Sequence, residues 1–477
     1  MREKETLHLE IENVNSEGDG VARVDMDGRG FVVFVGGVLP GERVKCRVER
    51  MSKNYAAASV SEILTPSPDR VPPKCANYGV CGGCQTQHAS YEAQLRMKKG
   101  ILTDAMRRIG KIDAGGDLSC APSPAEWGYR NKTVLPVGHS AGYYARRSHR
   151  IVPFSGCPVL DPSLELVLTK LISSHRSSGL SGYDEKNGLG DVRAVAARMG
   201  QSEGETGIIA GVVAAHELNR RQFGALRDAH QKLMNEIKPL KGSTLNIKTS
   251  RDNFVWGPAF TSLCGSRFVT AGMDGYKFRL DISAFFQINA PQAKRIFSLV
   301  RDIVKNSGAS KVLELYSGTG SLTSYLSSVC DSVDAVEEWR LAVKLMNGNM
   351  ERNGIGNVRV FAESAEGFMS DPENVGRGAY DAIVLDPPRA GAMAAVINGI
   401  RLASPEKVIY ISCNPAALAR DASMICGGGE YELESLAAYD MFPQTAHVES
   451  VCVLTKRKNN ASMSIASGEP AGRRTYF

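Results

Sequence analysis

No long hydrophobic run interrupts this chain. Its longest apolar patch, Ile208 to Ala215, falls far short of the ~20 residues a membrane-spanning helix requires, so a bilayer span is excluded. Behind Met1-Arg2-Glu3-Lys4-Glu5 there is no apolar segment of the kind a secretory leader carries. Both absences predict a cytoplasmic protein with no membrane contact. A strong excess of one charge is missing too: 57 Lys and Arg stand against 51 Asp and Glu, a net charge of +6. That balance permits an acidic partner such as nucleic acid without demanding one. Nothing in the sequence points to an obligate protein partner.

What is present is an ordinary globular composition, 477 residues of which 43% are hydrophobic and 23% charged, enough for about three domains. The fold class expected is multidomain, β followed by α/β. The 11 cysteines, in a reducing compartment, suit metal ligands or catalytic groups better than disulfides.

Residues 1–65 read as an OB-like antiparallel barrel. Leu7, Leu9 and Ile11 alternate with His8, Glu10 and Glu12, the period of a half-buried strand. Turn signals at Gly18-Asp19-Gly20, Asp27-Gly28 and Pro40-Gly41 separate further short runs, for five strands in all. Arg43, Lys45, Arg47, Arg50 and Lys53, with Tyr55 nearby, suit either phosphate contact and base stacking or a plain solvated face.

A proline-rich linker, Pro66 to Pro73, leads into a mixed α+β central domain, residues 66–284. It opens on Cys75, Cys81 and Cys84, a C-x5-C-x2-C array whose glycines let backbone fold closely around a metal centre. Cys157 is the fourth ligand by context. Spacing alone does not separate an iron–sulfur cluster from zinc. One helix is expected between Ser90 and Gly110, ended by that glycine. Its apolar face is expected to carry Tyr91, Leu95, Leu102, Met106 and Ile109, with Lys98 and Lys99 among them. Interleaved aromatics and arginines at Tyr129-Arg130-Asn131-Lys132 and Tyr143 to Arg150 fit single-stranded RNA or an ordinary surface.

From residue 285 to 457 the pattern changes to βα alternation, a Rossmann-like domain. Lys311 to Tyr316 is a strand, Ser317-Gly318-Thr319-Gly320-Ser321 a Gly-rich turn, and Leu322 to Val329 a helix. The next strands end at Glu337 and at Asp386-Pro387-Pro388-Arg389. A carboxylate at Glu337 is placed to meet a ribose hydroxyl pair, although Glu337 and Asp386 also suit helix N-caps. The turn lacks the Gly-Lys-Ser phosphate cradle, which favours S-adenosylmethionine over ATP. Val408 to Ser412 is a buried strand ending at Cys413, with Pro415 at the first turn of a helix. A thiol near a helix N-terminus is expected to have a lowered pKa and to be nucleophilic. Two final strands form an antiparallel pair, and residues 458–477 are a polar, disordered tail.

The blocks Phe285-Phe286-Gln287-Ile288-Asn289, Asp386-Pro387-Pro388-Arg389, Ser412-Cys413-Asn414-Pro415 and His447-Val448-Glu449 together resemble the RNA uracil-C5 methyltransferases, in particular the bacterial branch acting on 23S ribosomal RNA. The likeness covers nearly the whole chain. It implies a TRAM-like RNA-binding domain at residues 1–65, a [4Fe–4S] cluster on Cys75, Cys81, Cys84 and Cys157, and a methyltransferase domain. It also implies S-adenosylmethionine contacts at Gln287, Tyr316, Glu337 and Asp386, Cys413 as nucleophile and Glu449 as base. The chain departs from the family pattern at Ser321 and Ser364, which stand where Asn and Asp are usual. The same chemistry on a transfer RNA uridine, or a non-catalytic iron–sulfur RNA-binding protein, is the alternative reading.

Overall fold

The computed structural model describes residues 2–26, 29–115, 118–252 and 254–457; the expected disordered tail, 458–477, lies outside the described residues. No helix among the described residues is long and apolar enough to cross a membrane. The first region is one six-stranded sheet built from β1 (Thr6–Glu10), β2 (Asn13–Val14), β3 (Asp19–Met26), β4 (Arg29–Gly36), β5 (Arg43–Met51) and β6 (Tyr55–Thr65). The strand beyond the five expected is the short β2. The anticipated alternation holds on β1, where Leu9 is buried and His8 and Glu10 are exposed, and β5 follows the same period: Val44, Cys46 and Val48 are fully buried while Arg43, Arg47 and Arg50 face solvent.

Helix α1 (Tyr91–Ala105) starts at Ser90, whose side chain accepts the Ala93 N–H, and continues into a π-turn, Met106–Gly110. Gly110 does not cap it. The left-handed residue is Lys111, and a Cβ on Gly110 would stand 3.0 Å from the Ala419 carbonyl oxygen, so glycine is required there for close packing. The buried face also differs from the expected one. Ile109 is exposed, whereas Gln94 and Lys98 are buried beside Met97, Ile101 and Leu102. Those two polar groups find partners in the C-terminal half of the chain, described below.

The remainder of the central region comprises β7 (Cys120–Ala121), β8 (Lys132–Pro136), β9 (Gly142–Tyr144), β10 (Ile151–Pro153), α2 (Pro162–Ser177), β11 (Val192–Ser202), β12 (Glu205–Ala214), α3 (Arg220–Glu236), β13 (Leu240–Ile247) and β14 (Ala259–Gly265). Five of these strands make a sheet in the order β14-β13-β12-β11-β8. A hairpin, β15 (Phe268–Met273) and β16 (Tyr276–Asp281), leads to the C-terminal domain.

There α4 (Ala290–Ser307), β17 (Lys311–Leu315), α5 (Ser321–Leu326), β18 (Ser332–Val336), α6 (Arg340–Arg352), β19 (Val358–Phe361), α7 (Ala365–Ser370), β20 (Ala382–Leu385), α8 (Ala394–Ala403), β21 (Lys407–Ser412), α9 (Pro415–Cys426), β22 (Tyr431–Tyr439) and β23 (Glu449–Lys456) follow. Eight strands run β19-β18-β17-β20-β21-β23-β22-β7, the first five parallel and β23 antiparallel to both neighbours. Strand order reverses at β17, so the carboxyl ends of β17, β18, β20 and β21 open onto the crevice where such sheets bind ligands. Both faces are covered. Leu102 and Met106 share one core with Leu313, Tyr410 and Leu418, while Phe278 and Leu280 of the hairpin share the other with Phe297, Val312 and Ile409. The sheet's last strand is β7, contributed by the central region.

Candidate active site

Cys413 lies between the end of β21 and Pro415, the first residue of α9, as the residue pattern predicts. Its loop is held rigidly: Asn414 Oδ1 accepts the Ala416 N–H at 3.1 Å, and Asn414 Nδ2 donates to the Arg389 carbonyl at 2.7 Å. Pairing of β21 with β23 runs to Ser412 opposite Ser450, so Cys413 and Glu449 are the next couple along. Directly opposed residues in an antiparallel pair have Cβ atoms ~5 Å apart. Asp386 ends β20, the neighbour of β21 on the other side. Three chemically active groups thus come from the ends of three adjacent strands.

Their electrostatics correct one expectation. Burial pushes the Cys413 thiol up to about 11, with Glu449 and then Asp386 adding to the rise and Arg389 opposing it. Desolvation and two carboxyl groups outweigh the helix N-terminus. Burial also raises Asp386 to about 7, and holds Glu449 well above the ordinary carboxylate range, with Asp386 contributing.

Along the same sheet edge, Gly318 and Gly320 adopt left-handed backbone, which glycine does without steric cost. The Glu337 carboxylate accepts the Gly318 N–H at 2.9 Å and the Trp339 N–H at 2.8 Å. The residues at the N-cap positions of the following helices are Trp339 and Met393, so neither Glu337 nor Asp386 is an N-cap. Tyr316 also takes positive φ, rare for a residue with a side chain, and its hydroxyl donates to Glu366 at 3.0 Å. Gln287 is half-buried and its carbonyl accepts Asn131 Nδ2 at 3.0 Å, while the Thr319 hydroxyl donates to the Phe285 carbonyl at 3.3 Å. The first bond ties the segment 285–289 to the central region and the second to the Gly-rich turn. Ser364 caps α7 by accepting the Gly367 N–H at 3.0 Å, and Ser321 is the first residue of α5.

A carboxyl group that the sequence reading passed over stands among these. Glu314 in β17 is buried, with Oε2 lacking a hydrogen-bond partner among the described residues. Burial raises it to about 8, partly offset by Thr323, and Asp386 and Glu337 push in the same direction as burial. An acid inside the apolar run Val312 to Leu315 was the readable signal.

Cys75, Cys81, Cys84 and Cys157 line one cavity, walled by Tyr129 and Tyr143. Burial pushes Cys84 up to about 12, the other three thiols adding to it and Gln87 opposing. Gly82 is needed here, because a Cβ would stand 3.1 Å from the Tyr144 carbonyl oxygen. Among the described residues, no three His, Cys, Asp or Glu side chains are grouped as ligands of a single metal ion. The Tyr129 to Lys132 run serves the interior. The Tyr129 hydroxyl donates to the Pro443 carbonyl at 3.0 Å, and Lys132 donates to the Ser283 and Ala284 carbonyls at 3.3 and 3.1 Å. Arg146 and Arg147 pair with Asp19, fastening the central region to the first sheet.

This sheet order, with a Gly-rich turn after β17 and acids closing β18 and β20, defines a class: an α/β methyltransferase binding a nucleoside cofactor. Comparison with known proteins narrows it. A family described as tRNA (Uracil-5-)-methyltransferase matches residues 271–457, and the TRAM domain matches residues 2–61. An uncharacterized RNA methyltransferase of Halalkalibacterium halodurans is 33% identical over 95% of this chain and 98% of its own. A counterpart from Listeria innocua is 32% identical, again over 95% of this chain and 98% of its own. Among solved structures, the tRNA (uracil-54, C5)-methyltransferase of Pyrococcus abyssi, in complex with S-adenosyl-L-homocysteine, superposes with a TM-score of 0.73 at 24% identity, covering 94% of this chain and 100% of that one. The chain belongs to the S-adenosylmethionine-dependent RNA uracil methyltransferase family and carries a TRAM domain ahead of its catalytic domain.

Proposed function

We propose that this protein methylates C5 of a uridine in 23S ribosomal RNA through a covalent bond between Cys413 and uracil C6. The observation that carries the reading is the register of β21 and β23, whose last pair is Ser412 and Ser450, so that Cys413 and Glu449 follow at adjoining strand ends with Asp386 just beyond the end of β20. Uracil C5 is a poor carbon nucleophile. Addition of the Cys413 sulfur to C6 turns the ring into an enolate with electron density on C5. The thiol must first lose its proton, and Asp386, held near 7, is balanced to accept it. S-adenosylmethionine, when bound, supplies the electrophilic methyl group. Glu449, in its ionised form, then removes the C5 proton; the C5–H pair re-forms the C5–C6 double bond and the Cys413 thiolate leaves. A positioned base of this kind contributes ~10²–10⁴ in rate.

Gln287, Tyr316, Glu337 and Asp386 would hold the cofactor. The buried Glu314 Oε2, without a partner among the described residues, and a turn left open at Gly318 fit a ligand with a cationic amino-acid end. Cys75, Cys81, Cys84 and Cys157 would hold a [4Fe–4S] cluster, with zinc as the alternative. Four cysteines lining one cavity are a soft donor set of the kind such a cluster takes, although among the described residues they are not grouped closely enough to ligate a single ion. Arg43, Arg47 and Arg50, exposed on β5, would carry phosphate contact.

A second reading places the target in transfer RNA, favoured by the description of the Pyrococcus abyssi neighbour. The test uses 5-fluorouracil-substituted ribosomal and transfer RNA pools with S-adenosylmethionine and a denaturing gel. Fluorine at C5 cannot leave as a proton, so the covalent complex is trapped. A shifted band with ribosomal RNA, absent in Cys413→Ala, supports the proposal. A band with transfer RNA alone moves the substrate. No band with either, from protein that binds cofactor, leaves an RNA-binding protein without catalysis.

A further inference from the structure

We infer that Gln94 and Gln444 form a strap that positions Glu449, so that the thiol-lined region and the proton-removal step are mechanically one unit. The inference rests on Glu449 being the base that takes the C5 proton. Glu449 opens β23, and the chain reaches it through the loop 440–448 that leaves β22 at Tyr439, its partner in register. Nothing in that loop is regular secondary structure. Its own turn is short, the Thr445 N–H and hydroxyl donating to the Phe442 carbonyl at 3.2 and 2.7 Å, and further holds come from outside it.

The central region supplies them. Gln94 on α1 is 1% exposed and Gln444 2% exposed. Their amides exchange two bonds: Gln94 Nε2 donates to Gln444 Oε1 at 3.0 Å, and the Gln444 N–H donates to Gln94 Oε1 at 2.9 Å. The second donor of Gln94 goes to the Ala89 carbonyl at 3.1 Å. Gln444 holds left-handed backbone, φ 72°, a conformation that a side-chain-bearing residue keeps only when its surroundings over-determine it. In that conformation its carbonyl accepts both the Gln85 and Thr86 N–H groups at 3.1 Å. Those donors follow Cys84 directly. Thr445, the next loop residue, lines the four-thiol cavity itself.

One turn further along α1, Lys98 pairs with Asp440 and donates to the Phe442 carbonyl at 3.0 Å. The loop is therefore gripped at its start by Lys98 and at its middle by Gln94 and the thiol array. Among the described residues no side chain or backbone group donates a hydrogen bond to the Glu449 carboxyl, so the backbone must aim it. Cofactor and nucleophile sit on the β17 turn and the α9 N-terminus, and the loop meets the 285–289 segment through Asn289, which donates to the Met441 carbonyl at 3.1 Å, three residues before Gln444. Loosening the strap should therefore slow proton removal while sparing addition and methyl transfer.

The test is single-turnover methylation of RNA carrying tritium at uridine C5. Tritium released to water reports proton removal, and a denaturing gel reports the methylated covalent adduct. Gln94→Ala should slow tritium release at least tenfold relative to methyl transfer and accumulate adduct, with cofactor affinity unchanged. A strap that only stabilises the fold would lower the melting temperature and leave the ratio of the two rates at its parental value, which overturns the inference. Should Gln94→Ala not fold, Gln444→Ala is read instead. It keeps the backbone bond to Gln94 and loses the side-chain bond, so a smaller accumulation is expected and none refutes the strap. Glu449→Gln separates the two claims: adduct in Gln94→Ala but not in Glu449→Gln rejects Glu449 as the base, and the reverse rejects the strap.

Discussion

Removing the ammonium group from the interior tests how the two halves of the molecule are joined. Lys98 and Asp440 lie 342 residues apart in sequence, and their side chains are 1% and 0% exposed. An exposed pair would contribute at most ~1 kcal/mol. Burial changes the scale, because Lys98→Met leaves the Asp440 carboxylate inside the protein with no counter-charge, and stranding one member of a buried pair costs about 3–5 kcal/mol. The lost bond to the Phe442 carbonyl acts in the same direction. Methionine nearly matches the lysine stem in volume, so little of the loss comes from a cavity. Urea denaturation followed by tryptophan fluorescence should show a loss in that range for Lys98→Met. The double variant Lys98→Met/Asp440→Asn, which removes both charges, should recover more than half. A loss below ~1 kcal/mol in Lys98→Met, or a double variant no better than the single, would show that the pair is not what holds loop 440–448 to α1.

Three further outcomes follow from the site. Adduct formation on 5-fluorouracil RNA should rise with pH through about 7 and then level, as Asp386 ionises and becomes able to take the thiol proton. In Asp386→Asn the rise should continue toward the thiol's own ionisation, which loses the upward push of Asp386 but stays raised by burial and Glu449, and identical profiles would remove Asp386 from that role. Glu314 is raised in the folded protein to about 8, against ~4.3 in an unfolded chain. The native state then binds this proton more tightly, so its contribution is complete below ~4.3 and declines as pH climbs toward 8. The melting temperature of ligand-free protein should accordingly fall less between pH 5 and pH 8 in Glu314→Gln than in the parent. Cys84→Ser should lower the metal content of protein purified without air, measured by elemental analysis, and an unchanged content would exclude the four-thiol cavity as the metal site.

The sequence by itself determined the elements that depend on local pattern. Period-two alternation placed Leu9 on the inward face of β1 with His8 and Glu10 outward, and the β-branched run ending at Ser412-Cys413-Asn414-Pro415 located Cys413 between a strand and a helix. The acids at Glu337 and Asp386 were legible because each closes an apolar strand. Short-range chemistry repeats wherever the same few residues recur, so it can be read without the fold.

Tertiary structure alone decided the rest. The Cys413 thiol is raised rather than lowered, because its pKa depends on burial and on carboxyl groups 27 and 36 positions away in the chain. Gln94 and Lys98 are buried because their partners, Gln444 and Asp440, arrive from the far end of the sequence. Gly110 looked like a helix cap, whereas the close approach of α9 is what requires it. Desolvation and long-range pairing are properties of the packed chain, and no window of neighbouring residues contains them.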